Sequence, residues 1–280
     1  MKTLRLCLLL GFFLSVGGLA MAAETAPLKL GLLPTLSPRT LLANYQPLRL
    51  YLERELKRPV ELATAVDFKA FHQATAAGDY DLMLTAPHLA RLAQIEGKFK
   101  PVATYAATNR AVLVMAKDRP LRAAPDVRGK CVAVFDEHAL VVMQGLRWLA
   151  QRGVKANLDF RVLETRSHNS VAHSVQSGEC VLGITAPAGV KQWPDEFREK
   201  LAVFTELEEQ QAVTWIAHPR QGDKSIERLR DVLLAFGESP EGGQFFAHTG
   251  YQGMRAVSER DMRKMDVYAR ELGALLRSTP

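Results

Sequence analysis

Cysteine is scarce in this 280-residue chain: Cys7, Cys131 and Cys180 are the only three, which excludes a disulfide-dense scaffold. Long apolar runs are missing too. The longest, residues 6–19, spans 14 positions, whereas a membrane-crossing helix needs roughly 20. A basic stripe is also absent. Lys and Arg number 36 against 30 Asp and Glu, but the clusters at 54–58 and 98–100 are short and mixed with acidic or apolar residues, and the lack of a basic stripe with interleaved aromatics argues against a nucleic-acid partner. No nucleophile elbow, phosphate-binding loop or zinc-protease signature occurs. What is present is ordinary globular composition, 48% hydrophobic and 24% charged.

The first residues read as a separate object. Lys2 and Arg5 precede the apolar run, and Ala20-Met21-Ala22 follows it with small residues at the two positions a signal peptidase reads. Residues 1–22 are therefore expected to be a cleaved secretory signal peptide, and the remainder a soluble exported protein. Without them 34 basic residues face 30 acidic ones, a net charge of +4, and Cys131 and Cys180 remain as an even pair. In an oxidising compartment that pair is expected to be bonded.

An internal repeat organises the rest. GDYDLMLTAP at 78–87 and GECVLGITAP at 178–187 align without gaps at an offset of 100, identical at Gly, Leu, Thr, Ala and Pro. Strand-like segments at 60–65 and 160–165 keep the same offset, and those at 29–33 and 130–134 need one residue more. Each half reads strand, helix, strand, helix, strand. The strands fall at 28–33, 60–65 and 82–85, then at 131–135, 160–164 and 181–185. The helices fall at 47–56 and 68–77, then at 142–151 and 169–177, with Gly78, Gly153 and Gly178 as stops. This alternation implies an α/β fold of two lobes, each a mainly parallel sheet flanked by helices. Strands at 111–116 and 213–217 flank the second half and are expected to form a two-stranded hinge. Helical patterns at 226–236, 240–248 and 259–276 are expected to return to lobe one. The resulting division is 1–22 signal peptide, 23–110 first part of lobe one, 111–217 lobe two with hinge strands, and 218–280 C-terminal helices. Cys131 and Cys180 each precede a strand end by five residues on neighbouring strands of a 2-1-3 order, so the expected disulfide lies at one depth in lobe two.

Ligands of open parallel sheets sit beyond the carboxyl ends of the strands. That rule selects the loops 35–37, 67–68 and 85–88 in lobe one and 136–140, 167–169 and 185–187 in lobe two. The candidate ligand-binding residues are Thr35, Ser37, Thr85, His88, His138, Leu140, Ser167, His168, Asn169 and Thr185. Several of these loops open helices, whose free N–H groups suit a small anionic or polar molecule. His88, His138 and His168 all fall in these loops. Three imidazoles are able to bind zinc or copper, but their spacing is no local motif, so hydrogen bonding is the preferred reading and no metal or cofactor is assigned. Pro87 and Pro187 read as first helical residues, and Trp148, Trp193 and Trp215 as core or hinge packing.

At this point the chain resembles the phosphonate-binding, PhnD-like family of periplasmic substrate-binding proteins of ABC transporters. The resemblance rests on Leu30-Gly31-Leu32-Leu33-Pro34, Tyr45-Gln46-Pro47-Leu48 before Tyr51-Leu52, Gly78-Asp79-Tyr80-Asp81, Gly129-Lys130, Ser167-His168-Asn169 and Gly178-Glu179. Thr249-Gly250-Tyr251-Gln252-Gly253 and Glu259-Arg260-Asp261-Met262 complete it. It implies the bilobal type II fold, a periplasmic location, hinge closure on a small solute, and a membrane permease with its ATPase as partners of a monomer. It assigns His168 to ligand binding. It also implies a Ser-Thr-Ser-Gly run after the first strand of lobe two, where this chain has Glu137-His138-Ala139-Leu140. An aromatic residue is replaced by Thr85, and Pro187 lies close to where a carboxylate is expected. A partner of a membrane sensor kinase is the second reading. An enzyme on the same fold is the third, with Asp136, Glu137 and His138 as its only dense acid–base set and no activated nucleophile beside them.

Overall fold

The computed structural model describes residues 26–278, so the expected signal peptide lies outside the described residues. Lobe one opens with β1 (Leu28–Leu32), α1 (Pro38–Leu56), β2 (Val60–Ala63), α2 (Phe68–Ala77), β3 (Leu82–Thr85), α3 (Pro87–Gly97) and β4 (Lys100–Tyr105). After β5 (Thr108–Asn109) come β6 (Val112–Ala116), β7 (Cys131–Val134), α4 (Leu140–Gln151), β8 (Arg161–Glu164), α5 (His168–Gln176) and β9 (Leu182–Thr185). Then α6 (Pro187–Gln192), α7 (Asp195–Lys200) and β10 (Leu201–Glu206) finish lobe two. Next are β11 (Gln210–Gln211), β12 (Thr214–Ala217), α8 (Asp223–Glu238), α9 (Pro240–Thr249), β13 (Met254–Ala256), α10 (Glu259–Arg263) and α11 (Asp266–Ser278).

The first sheet runs β13-β4-β12-β3-β1-β2 and the second β10-β6-β9-β7-β8. In both, the three repeat strands pair parallel in the order 2-1-3. Antiparallel strands extend each sheet on the side of the third strand: β12 beside β3, and β6 beside β9. The two turns that stop the second helix of each half use Gly78 and Gly178 at φ 78° and 84°, a left-handed conformation that glycine adopts without a Cβ clash. The repeat read from the sequence is therefore a repeat of topology.

The hinge lies one step away from its expected place. Residues 111–116 and 213–217 do form strands, but β6 belongs to the second sheet and β12 to the first. The two crossings of the chain pair just outside them, where Gln210 faces Asn109 and Gln211 faces Thr108 in a two-stranded antiparallel ribbon. The apolar character of 213–217 reflects burial between β3 and β4, with Trp215, Ile216 and Ala217 fully covered.

Helix α1 begins at Pro38 rather than at Pro47, which lies inside it. An interior proline lacks its N–H and costs about 3 kcal/mol, but the longer helix buries Leu41 and Tyr45 together with Leu48, Tyr51 and Leu52. Burying an apolar side chain is worth about 1.5–3 kcal/mol, so two more anchors outweigh the proline. The expected helix at 259–276 is two helices, α10 and α11, and α11 packs on α3 of lobe one.

Cys131 and Cys180 are bonded, with 4.4 Å between their Cα atoms. The strands align Val132 with Leu182, which places Cys131 level with Val181 and Cys180 one residue further down. Counting from strand ends missed this step because β7 stops at Val134, short of Asp136.

Candidate functional site

Six helices start at the carboxyl edges of the two parallel triplets, and they end their backbones in two ways. The N-termini of α1, α2 and α5 are closed by their own side chains. Ser37 Oγ accepts from Thr40 N at 3.3 Å, Asp67 Oδ1 from Ala70 N at 2.7 Å and Ser167 Oγ from Ser170 N at 3.1 Å. By contrast α3, α4 and α6 start after Ala86, Ala139 and Ala186, which offer no capping side chain. Their first N–H groups retain donor capacity, and the helix dipole adds positive potential there. Ala86 and Ala186 are the middle residues of the two Thr-Ala-Pro turns.

In lobe two the turn is furnished internally. Thr185 is fully buried, and its Oγ1 lies 2.7 Å from His168 Nδ1. His168 also receives Trp193 Nε1–H on its carbonyl at 3.0 Å and packs on the Phe135 ring at 4.2 Å between centroids. Gly189 makes room for this arrangement: a Cβ there would lie 2.5 Å from the His168 ring and 2.7 Å from Thr185 Oγ1. Burial lowers the pKa of His168, which keeps it neutral.

In lobe one the same turn is left open. Thr85 is 2% exposed and its Oγ1 has no hydrogen-bond partner. His88, at the second position of α3, is wholly buried, and its Nε2 lies 2.8 Å from the carbonyl of His138 across the cleft. Burial pushes His88 down to about 4, so the ring is neutral at physiological pH. A carbonyl accepts only, so Nε2 carries the proton and Nδ1 is left as a bare acceptor. That Nδ1 is buried and unpartnered.

The loop before α4 carries charge. Asp136 Oδ1 accepts from the His138 backbone at 2.7 Å and lies 3.1 Å from His138 Nδ1, a hydrogen bond that raises the histidine pKa. Half-buried Glu137 has its pKa raised by burial and then by Glu164, whose Oε2 accepts from the Glu137 backbone at 3.3 Å. The three imidazoles thus have three separate partners, and among the described residues no group of three His, Cys, Asp or Glu is arranged to hold a metal.

The sequence-derived candidates divide accordingly. The structure brings His88 to His138 and His168 to Thr185, and buries Thr85 and Leu140 in the same edges. Ser37 and Ser167 are helix caps, while Thr35 and Asn169 are exposed without a shared partner. Sequence reasoning missed Phe135, Trp193 and Gly189, which fix His168. It also missed one face of α4 that reaches lobe one: Met143 is buried among Leu33, Phe71, Met83 and Leu89, and Arg147 pairs with Glu271 at 2.6 Å. The spacing of 143 and 147, one helical turn, was the available signal.

Comparison with known proteins follows the same outline. The profile of a family described as the periplasmic substrate-binding proteins of ABC phosphonate transporters matches residues 30–262. Among solved structures, a Xanthomonas citri protein bound to ATP superimposes with a TM-score of 0.79 at 16% identity, over 91% of this chain and 99% of that one. PhnD1 from Prochlorococcus marinus in complex with methylphosphonate gives 0.73 at 15% identity, over 88% and 98%. A binding component of an ABC phosphonate transporter from Pseudomonas aeruginosa gives 0.72 at 16% identity, over 89% of each chain. At these identities the superpositions establish the bilobal fold, and the profile establishes descent.

Proposed function

Because the chain belongs to the family of periplasmic substrate-binding proteins of ABC phosphonate transporters, we propose that it captures a small oxyanion between its lobes. It then hands the ligand to an inner-membrane permease driven by its ATPase. One observation carries the choice of an oxyanion: the uncapped start of α3, with its free N–H donors, adjoins Thr85 Oγ1, a buried hydroxyl without a partner. Buried polar atoms are almost always satisfied, so an unfilled set at a helix N-terminus marks a place that a ligand completes. His168 and Thr185 on the facing lobe, with the open start of α4, supply the other wall. Thr35, Ser37, His138, Leu140, Ser167 and Asn169 form the rim of this reading.

The protein works in the periplasm as a monomer, after removal of residues 1–22, and binds without turnover. Of the acid–base set Asp136, Glu137 and His138, the Asp136 carboxylate is held by the backbone and ring of His138, and no activated nucleophile is assigned beside them. Thermal-shift measurements with phosphate, phosphite, alkylphosphonates, sulfonates and amino acids test the assignment. A ligand at 100 times its Kd adds about 2.7 kcal/mol to stability. Stabilisation by amino acids and by no oxyanion overturns it.

A further inference from the structure

We infer that helix α4 is a clasp that holds the lobes closed before a ligand arrives, with Met143 and Arg147 as positioning residues for capture. Met143 belongs to lobe two, yet it is 4% exposed in a buried cluster otherwise built from lobe one. Among the described residues it is the one buried lobe-two side chain in that cluster. Phe68 returns the exchange: it opens α2 in lobe one and packs on the cores of both lobes. One residue past Met143, buried Gln144 ties the helix to the hinge. Its Oε1 accepts from Ala111 N at 3.0 Å, and its Nε2 donates to the Glu208 carbonyl at 2.6 Å. One amide thus holds both chain crossings beside the ribbon of β5 and β11. One turn beyond Met143, Arg147 meets Glu271 of α11 at 2.6 Å. At the cleft end, His88 Nε2 donates to the His138 carbonyl just ahead of α4. These contacts run between the lobes themselves and ask for no bound molecule. Opening the cleft must draw Met143 out into water. Burial of such a side chain shifts an equilibrium about ten- to hundredfold, and an exposed ion pair adds about two- to fivefold. Closure is then already favoured when the ligand enters, and the clasp raises affinity without touching it.

Distances between spin labels in the ligand-free protein test this, with Val66→Cys and Arg166→Cys as label sites. These are matching positions of the repeat, exposed on the loops after β2 and β8, so their separation reads the cleft. The Cys131–Cys180 bond keeps the native sulfurs out of the labelling. The expected result is one dominant short distance in the parent protein and a second, longer one in Met143→Ala. That variant should lower the closed-to-open ratio by about tenfold or more, while Met143→Leu should keep it. Arg147→Glu should lower the ratio about two- to fivefold, and adding Glu271→Arg should restore it. A parent already dominated by the longer distance overturns the inference. So does a Met143→Ala protein, folded by circular dichroism, whose distances match the parent's, because a purely structural Met143 lowers the melting temperature without moving the lobes. Should Met143→Ala fail to fold, an Arg147→Glu distribution identical to the parent's overturns it. No ligand enters the measurement, so its outcome is independent of the oxyanion reading.

Discussion

The two Thr-Ala-Pro turns start from the same residues and end in opposite states. Thr185 is satisfied from within its own lobe by His168, whereas Thr85 and the neighbouring His88 Nδ1 are buried and left without partners. The repeat supplies the scaffold, a strand ending at a helix N-terminus. The residues just outside it decide which copy is closed and which is open. Phenylalanine stands at 68 where His168 closes Thr185, and histidine stands after Pro87 where alanine stands after Pro187; these two differences make lobe one the unfinished half. The lobes differ in reinforcement as well, since the one disulfide among the described residues lies in lobe two.

The largest test removes that reinforcement. The Cys131–Cys180 bond closes a loop with a sequence separation of 49, worth about 4 kcal/mol in the chain-entropy account. A Cys131→Ser, Cys180→Ser variant should lose stability of that order and uncouple the lobes in denaturant titrations, with Trp148 and Trp193 reporting lobe two before Trp215 reports lobe one. A single unchanged transition breaks the contrast.

Acid comes next. The folded value for His88, about 4, lies below the unfolded value near 6.5. Between these values the unfolded chain binds the proton and the folded one does not. The associated stability is therefore complete above about pH 6.5 and declines toward pH 4, by about 3 kcal/mol in all. His88→Gln should remove most of that slope, as read from melting temperature against pH, and an unaltered slope assigns the acid sensitivity elsewhere.

Smaller effects separate the two turns directly. Gly189→Ala drives a methyl group into His168 and Thr185 and should cost about 1–3 kcal/mol. Thr185→Val strips His168 Nδ1 of its partner and should cost about 1–3 kcal/mol, because a buried polar atom is left unpaired. Thr85→Val removes a buried hydroxyl that has no internal partner, so the ligand-free protein should be unchanged or stabilised by up to about 1–3 kcal/mol while ligand affinity drops. Equal losses from both threonine variants in ligand-free protein collapse the distinction between closed and open turns.

Much of the fold was legible because strands and helices declare themselves locally. The helix start after Asp67, the stops at Gly78 and Gly178 and the apolar strands led to the 2-1-3 triplets, whereas the cap at Ser167 reads in the sequence as a ligand contact. Pro47 misled because tertiary burial of Leu41 and Tyr45 overrode a local breaker. The hinge was misplaced by one element because a buried strand such as 214–217 reads alike whether it joins one sheet or links two. The site was legible only as a set of loops. The pairing of His168 with Thr185, 17 residues apart on different elements, and the reach of Met143 into lobe one belong to packing that no local pattern encodes.

The position of β12 also bears on how the molecule comes into being. This strand lies between β3 and β4, yet it follows every strand of the second sheet in the chain. A polypeptide emerging from its N-terminus can assemble the second sheet completely while the first still has a vacant slot at its centre, with β3 and β4 presenting unpaired edges. The strands of the inserted lobe are complete in the chain before β12 is reached. The sheet of the surrounding lobe closes only with the strand that leaves the hinge ribbon, since β12 alone joins β3 to β4.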